Sequence, residues 1–326
     1  MNLKKPFSPE LLKINDIESY ITRITEKLKS DVLVNMRKQG GVIGISGGID
    51  SSVTLALAAK AFGAGRVVGI MLPEKDSSGD SKEFALQLAS KFSVEAVDEN
   101  ITGALDGFNC YKRRDEAVAR VFPDYDPATF KMKIGINQTG INQNLPPVFS
   151  LTIINKNGET KSKILPVKEY LQIVAASNFK QRSRMAMLYY HAELRNFAVI
   201  GTSNKHEIEQ GFFVKYGDSG VDVMPVGNLY KTQVYQLAEY LGIPLDIIRR
   251  TPTTDTYSAE QTQEEFFYQL PFSDMDLLWY GFENGYLPEE IAPVMHKTAN
   301  EVELIFTNFK RKQKATAYLR MASINE

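Results

Sequence analysis

The chain reads Ser46-Gly47-Gly48-Ile49-Asp50-Ser51-Ser52 directly after an apolar run, and this is the segment whose residue types could do chemistry. Two consecutive glycines let the backbone turn sharply and come close to a ligand. Ser46, Ser51 and Ser52 supply hydroxyl donors. The amides of a helix starting here would point at the same place and add the positive end of its dipole, so the segment reads as a phosphate cradle. Asp50 would repel a phosphate directly. It fits instead as a magnesium ligand, because magnesium takes hard oxygens and shares them with phosphates. The segment has neither the Gly-Lys-Ser/Thr of a Walker A loop nor the Gly-x-Gly-x-x-Gly of a dinucleotide fold.

Thr202 and Glu207 follow a second apolar run, 197–200, at the position where open α/β sheets bind ligands beyond their strands. Glu207 is also a carboxylate suited to a helix N-terminus. Arg182 and Arg184 pair on a helical stretch, and a guanidinium fork there suits a phosphate or carboxylate as well as it suits solvent. No Ser-His-Asp or Cys-His grouping is visible. The single cysteine, Cys110, lies among Phe108, Asn109 and Tyr111 with no basic neighbour. It reads as a structural thiol, and one thiol makes neither an internal disulfide nor a thiolate metal cluster.

Elements at regular spacing would position these residues. Residues 18–36 carry apolar positions at helical spacing. Residues 42–45 read as a buried strand, 46–50 as a loop and 51–62 as a helix. Residues 67–72 form a second strand, 81–92 a helix and 94–97 a third strand. Strands alternating with helices predict βαβ units and a doubly wound parallel sheet, an α/β fold. Regularity fails at about 111–166, where a charged stretch is followed by Pro123, Pro127, Pro146 and Pro147. Two strand-like runs, 148–154 and 163–167, then flank Asn157-Gly158, which predicts a β-hairpin within an insertion. A helix from Asn178 to 195, a strand at 197–200 and a helix at 231–241 stopped by Gly242 and Pro244 restore the pattern. Residues 288–326 read as helical and charged. The whole is expected to be a single domain spanning 1–326.

Lys and Arg number 38 against 39 Asp and Glu, so no basic field argues for nucleic acid. Lys4 and Lys5 are not followed by the apolar core of a signal peptide, and no stretch has the roughly 18 apolar residues of a membrane span. A cytoplasmic location, with no membrane or nucleic-acid partner, is expected.

The Ser46–Ser52 heptapeptide resembles the pyrophosphate loop of the N-type ATP pyrophosphatases, and further stretches resemble the ammonia-dependent NAD synthetases among them. Arg182-Ser183-Arg184-Met185 with Leu188-Tyr189 is similar to the Arg-x-Arg-Met-x-x-Leu-Tyr helix of those enzymes. Gly201-Thr202 with Glu207, and Gly211-Phe212 through Lys215-Tyr216-Gly217-Asp218, are similar to their Gly-Thr…Glu and Gly-Phe-x-x-Lys-Tyr-Gly-Asp segments. Leu229 with Lys231 matches Leu-x-Lys, and Pro252-Thr253-Thr254-Asp255 resembles Pro-Thr-Ala-Asp. The resemblance implies a Rossmann-like sheet of the adenine nucleotide alpha hydrolase type. It implies ATP contacts at Ser46, Gly47, Gly48, Asp50, Ser51, Ser52, Thr202, Lys231 and Thr253, and magnesium on Asp50 and Glu207. Contacts to deamido-NAD are implied at Arg184, Tyr189, Phe212, Lys215, Asp218, Asp222, Glu264 and Lys310. Catalysis would rest on Asp50, Lys231 and Glu207, the substrates would be ATP, deamido-NAD and ammonia, and the working form a homodimer.

Departures from the pattern lie on the acceptor side. Thr256-Tyr257 follow Asp255, Gln261 to Glu264 replace an acidic pair, and Phe309-Lys310-Arg311 stands where His-Lys is usual. They leave open another carboxylate acceptor, or a nucleotide-binding module without catalysis. About forty residues precede the loop, too few for a glutaminase domain, so ammonia is the expected nitrogen source.

Overall fold

β1 (Gly41–Gly44) and β2 (Val67–Met71) read as apolar runs because each is buried on both faces, and alternate side chains enter different cores. Ile43, Val67 and Met71 join one apolar cluster, while Val42, Val68 and Ile70 join another on the opposite face. The structure, a computed structural model, describes residues 4–77, 79–137, 148–254 and 256–325; Pro146, Pro147 and Asp255 lie outside them. Ahead of β1, α1 (Ile17–Lys29) is capped by Asp16, which accepts from the Ser19 amide. Between the strands lies α2 (Ile49–Phe62), and after β2 come α3 (Asp80–Lys91) and β3 (Glu95–Asp98). One difference from expectation bears on the site. α2 begins at Ile49 rather than Ser51, so Asp50 stands on its first turn rather than in the loop before it.

The 111–166 segment is more regular than its prolines suggest. Its charged beginning belongs to a helix, α5 (Cys110–Val121), which follows the short α4 (Thr102–Gly107). In place of a lone hairpin there is a three-stranded antiparallel sheet of β4 (Phe130–Asn137), β5 (Val148–Asn155) and β6 (Thr160–Ile164). β6 starts three residues earlier than the predicted second run. Gly158 has φ +82° in the β5–β6 turn, and the Asn155 side chain accepts from the Asn157 and Glu159 amides. Met132 and Ile134 of β4 face Leu151 and Ile153 of β5, and these pack with Ala117 and Val118 of α5.

α6 (Val167–Arg195) begins eleven residues before Asn178, the predicted cap. Pro166 stands at its N-cap with an extended backbone, where a missing N–H costs nothing, and no helix breaker follows until Asn196. Next come β7 (Ala198–Val199), α7 (Lys205–Gln210), α8 (Lys231–Leu241) and α9 (Leu245–Arg249). α10 (Phe272–Glu283), α11 (Pro288–Ile291) and α12 (Ala299–Ala315) pack an aromatic cluster around the fully buried Trp279, and a 3-10 turn at Ala317–Arg320 follows.

β1, β2, β3 and β7 form one parallel sheet in the order β3-β2-β1-β7. The chain leaves β1 towards β2 and β3, then returns on the other flank as β7. The order reverses between β1 and β7, and ligands of open α/β sheets bind outside the carboxyl ends of the strands at such a point. Among the described residues no helix is long and apolar enough to cross a membrane.

Candidate active site

The loops after β1 and β7 open into a cavity of about 870 Å³. Gly47 makes the first turn possible. It has φ +71°, and a Cβ there would sit 2.7 Å from Phe84 Cβ and 3.0 Å from the Ser81 carbonyl oxygen. Ser46, Gly48 and Ser51 line the cavity. Ser51 Oγ donates to the Gly48 carbonyl at 3.0 Å. Ser52 is turned into the core, where its hydroxyl donates to the same carbonyl at 2.8 Å, and neither it nor Gly47 is part of the lining.

Three charged groups converge beside this loop. Lys231, at the start of α8, is fully buried, and its Nζ forms an ion pair with Asp50 Oδ2. Burial works against its charge, but Asp50 and Glu207 outweigh that and hold the ammonium above its ordinary range. Glu207 completes a capping box on α7: Asn204 Oδ1 accepts from the Glu207 amide, and Glu207 Oε2 accepts from the Asn204 amide at 3.0 Å. Burial first, and the nearby Asp50 next, push the Glu207 carboxyl up to about 8. A buried carboxyl pushed up by burial and by a neighbouring carboxylate belongs to a site that gains from a divalent cation. Among the described residues no cluster of three or more His, Cys, Asp or Glu could hold a metal. Asp50 and Glu207 would thus supply two oxygens and leave the others to phosphate and water, as magnesium prefers.

Sequence reasoning missed two groups that hold this arrangement. Asn204 Nδ2 donates to Asp50 Oδ1 at 3.3 Å, and Gln263 Nε2 donates to Glu207 Oε1 at 3.4 Å. Asn204 was visible in principle, since Asn three residues before Glu is a capping-box pattern. Nothing local marks Gln263.

Of the remaining ATP-side candidates, Thr202 and Thr253 line the cavity. On the acceptor side Arg184, Phe212, Lys215 and Asp218 do so too. Arg184 Nε donates to the Leu72 carbonyl at 3.3 Å, and Phe212 stacks on Phe267 with centroids 4.7 Å apart. Asp218 accepts from the Val214 amide at 2.7 Å, while burial pushes its carboxyl up to about 6. Lys215 Nζ donates to the Tyr318 and Met321 carbonyls at 3.0 and 2.8 Å. Arg182, the partner of Arg184 in the paired-arginine stretch, also lines the cavity and reaches the Lys215 carbonyl.

Four acceptor-side candidates stand apart from the lining. Tyr189 donates to Asp222 Oδ1 at 3.0 Å, and Asp222 Oδ2 accepts from the Val199 amide at the end of β7. Glu264 Oε1 accepts from the Phe272 amide at 2.8 Å at the head of α10, a structural engagement. Lys310 is exposed on α12. The Cys110 thiol is buried and pushed up to about 11 by that burial, which matches the inert role expected for it.

The insertion reaches the same space. Ile136 of β4 and Phe149 of β5 line the cavity next to Tyr170 of α6. Phe149 and Tyr170 stack with centroids 4.2 Å apart and planes inclined by 20°.

A family model described as NAD synthase matches residues 20–122 and 137–316. The NH(3)-dependent NAD(+) synthetase of Rhizobium meliloti (strain 1021) is 44% identical over 316 residues, covering 97% of this chain and 93% of the relative. That of Thermotoga maritima is 32% identical over 290 residues, 88% of this chain and 94% of the relative. Among solved structures, the NMN synthetase of Francisella tularensis superposes with a TM-score of 0.64 at 23% identity, over 95% of this chain and 98% of that one. The NH3-dependent NAD synthetase of Campylobacter jejuni gives 0.62 at 22%, over 96% and 100%. These two likenesses concern the fold, and the matched model and the sequence relatives concern the family: the chain belongs to the NAD synthase family.

Proposed function

We propose that the protein is an NH3-dependent NAD+ synthetase that joins ammonia to the carboxylate of deamido-NAD at the expense of ATP. The observation that carries this reading is the meeting of Asp50, Glu207 and Lys231 beside the Ser46–Ser51 turn, in one cavity with Phe212, Lys215 and Asp218. A carboxylate is a poor electrophile. One of its oxygens attacks the α-phosphorus of ATP, pyrophosphate leaves, and the mixed anhydride has AMP as its leaving group. Ammonia then adds to the acyl carbon, and AMP departs to leave the amide.

In this scheme the Ser46–Ser51 turn and the amides of α2 hold the departing pyrophosphate, and the Lys231 ammonium offsets its charge. Asp50 and Glu207 would hold Mg2+, which supplies charge neutralisation to the phosphates. Thr202 and Thr253 are assigned to ATP. Arg184, Phe212, Lys215 and Asp218 are assigned to the acceptor, with the hydrogen-bonded Tyr189 and Asp222 behind the lining. Catalysis is alignment and electrostatics, with no covalent enzyme intermediate. The same reading makes the enzyme cytoplasmic and homodimeric. The exposed apolar side chains of α6, Tyr190 at 55% and Leu194 at 66%, support the dimer.

The test is to incubate the purified chain with ATP, magnesium chloride, ammonium chloride and deamido-NAD. NAD, AMP and pyrophosphate should appear in equal amounts, and omission of ammonia should stop NAD. Pyrophosphate release with some other carboxylate but none with deamido-NAD would reassign the acceptor.

A further inference from the structure

The family model passes over residues 123–136 while matching the chain on both sides, and β4 occupies the second half of that stretch. β4 does more than extend the insertion's sheet. Its Met132 amide donates to Ser258 Oγ at 2.9 Å, and its Met132 carbonyl accepts from the Ala259 amide at 3.0 Å. Both partners belong to segment 252–268, whose described residues lack regular structure as far as the helical turn at Glu264–Tyr268. Beside them, Tyr257 is buried in the same apolar cluster as Met132, Ile134 and Leu151, with Phe266 packed against it. One long excursion of the chain is thus fastened to β4 by a two-bonded backbone clamp and by an aromatic plug.

The fastened segment borders the nucleotide end of the cavity. Thr253 lines the cavity and bridges to Thr262, and the Thr254 amide donates to the Gln261 carbonyl at 2.9 Å. These links fold the segment back on itself and present Gln263 to Glu207. Without β4 the segment would keep its internal bridge but lose its attachment near the tip, at Ser258 and Ala259. An irregular loop with few outside contacts samples open states, and a ligand must then supply the ordering free energy.

We infer that β4 is a brace that holds segment 252–268 in its ligand-ready conformation before ATP binds, with Ser258 as a positioning residue. Ser258 is not part of the cavity lining, so it acts through Thr253 and Gln263. The kinetic half of the test rests on the function proposed above; the exchange half does not.

The full-length protein and its Ser258→Ala variant are compared by amide hydrogen exchange without ligand and with saturating ATP. An ordinary hydrogen bond shifts such a loop equilibrium about fivefold. In the ligand-free variant the amides of 253–263 should exchange about fivefold faster, and the difference should shrink when ATP is bound. The KM for ATP should rise about fivefold with kcat within about twofold, because saturating ligand restores the conformation. Ser258→Thr, which keeps the oxygen, should restore both values. Deleting 123–136 behind a short linker should reproduce the exchange change more strongly. Unchanged exchange in Ser258→Ala overturns the brace, and so does a fall in kcat at constant KM. If the wild-type protein makes no NAD, the proposed function fails, and the exchange comparison still decides the brace.

Discussion

Asp276 Oδ1 lies 2.6 Å from His206 Nε2, and both side chains are wholly buried. The Gln210 side-chain amide lies 3.2 Å from the other ring nitrogen, so both imidazole nitrogens are engaged. The second carboxylate oxygen accepts from the Thr232 amide at 2.6 Å, and the Lys231 amide donates to the first at 3.3 Å. One carboxylate on α10 thereby fixes the start of α8, which carries Lys231, against α7, which carries Glu207. Asp276→Asn should lower stability by about 2 to 4 kcal/mol, since it weakens several bonds to a buried charge at once. Turnover should fall with it, because Lys231 loses its register. Urea unfolding paired with initial rates checks this, and an unchanged midpoint would remove Asp276 from the support of the site.

Asp50 carries a second expectation. The sequence places it in a solvent-facing loop, where Asp50→Ala would leave the fold untouched. On the first turn of α2 it is instead the partner of a buried ammonium, and its own side chain is only 16% exposed. Removing one partner of a buried pair strands the other. Asp50→Ala should therefore abolish turnover and also cost about 2 to 3 kcal/mol, the low side of the usual range because the cavity admits water. The double variant Asp50→Leu with Lys231→Met should recover most of that stability and none of the turnover. Full stability in Asp50→Ala alone would mean that the pair adds nothing to the fold.

How much was legible follows from how local each signal is. β1 and β2 announce themselves as apolar runs because both faces are buried, and the glycine-serine turn announces itself because its backbone demands are local. β4 carries a quieter signal that the sequence reading passed over: Lys131 and Lys133 alternate with the buried Met132 and Ile134 at strand period, but Pro123 and Pro127 just ahead mark the segment as irregular. Asn178 looks like a cap but lies mid-helix facing the cavity, because the helix needs no polar cap to start after Pro166. Gln263 and Asp276 were out of reach for another reason. Their partners lie 56 and 70 residues away, and no spacing rule links them.

Asp218 gives a pH dependence with a definite sign. Burial raises its carboxyl from an ordinary 3.8 to about 6. The folded state then keeps a proton that the unfolded chain has released, so this group's contribution to stability is full below about 4. It is lost as pH rises through 6. Asp218→Asn carries no such proton and keeps an oxygen for the Val214 amide. The variant's melting temperature should rise relative to wild type between pH 4 and 6.5 and run parallel above that. Parallel curves throughout would show that Asp218 is already ionised at pH 4.

Phe149 stands at the end of the cavity away from the nucleotide loop. Tyr170 and Leu188 both line it from α6, and 18 residues of helix at 1.5 Å each set them about 27 Å apart. Leu188 packs beside Gly44, at the nucleotide loop, whereas Tyr170 carries the stacked Phe149 of the insertion. A flat aromatic pair at the far end suits a planar ring of the acceptor. Phe149→Ala should raise the KM for deamido-NAD about tenfold, equivalent to about 1.4 kcal/mol of lost contact, and leave the KM for ATP within about twofold. Phe149→Leu keeps apolar volume without the flat face and should fall between. If both KM values stay at wild type, the wall closes the cavity without touching substrate; if only the value for ATP moves, the acceptor does not extend towards the insertion.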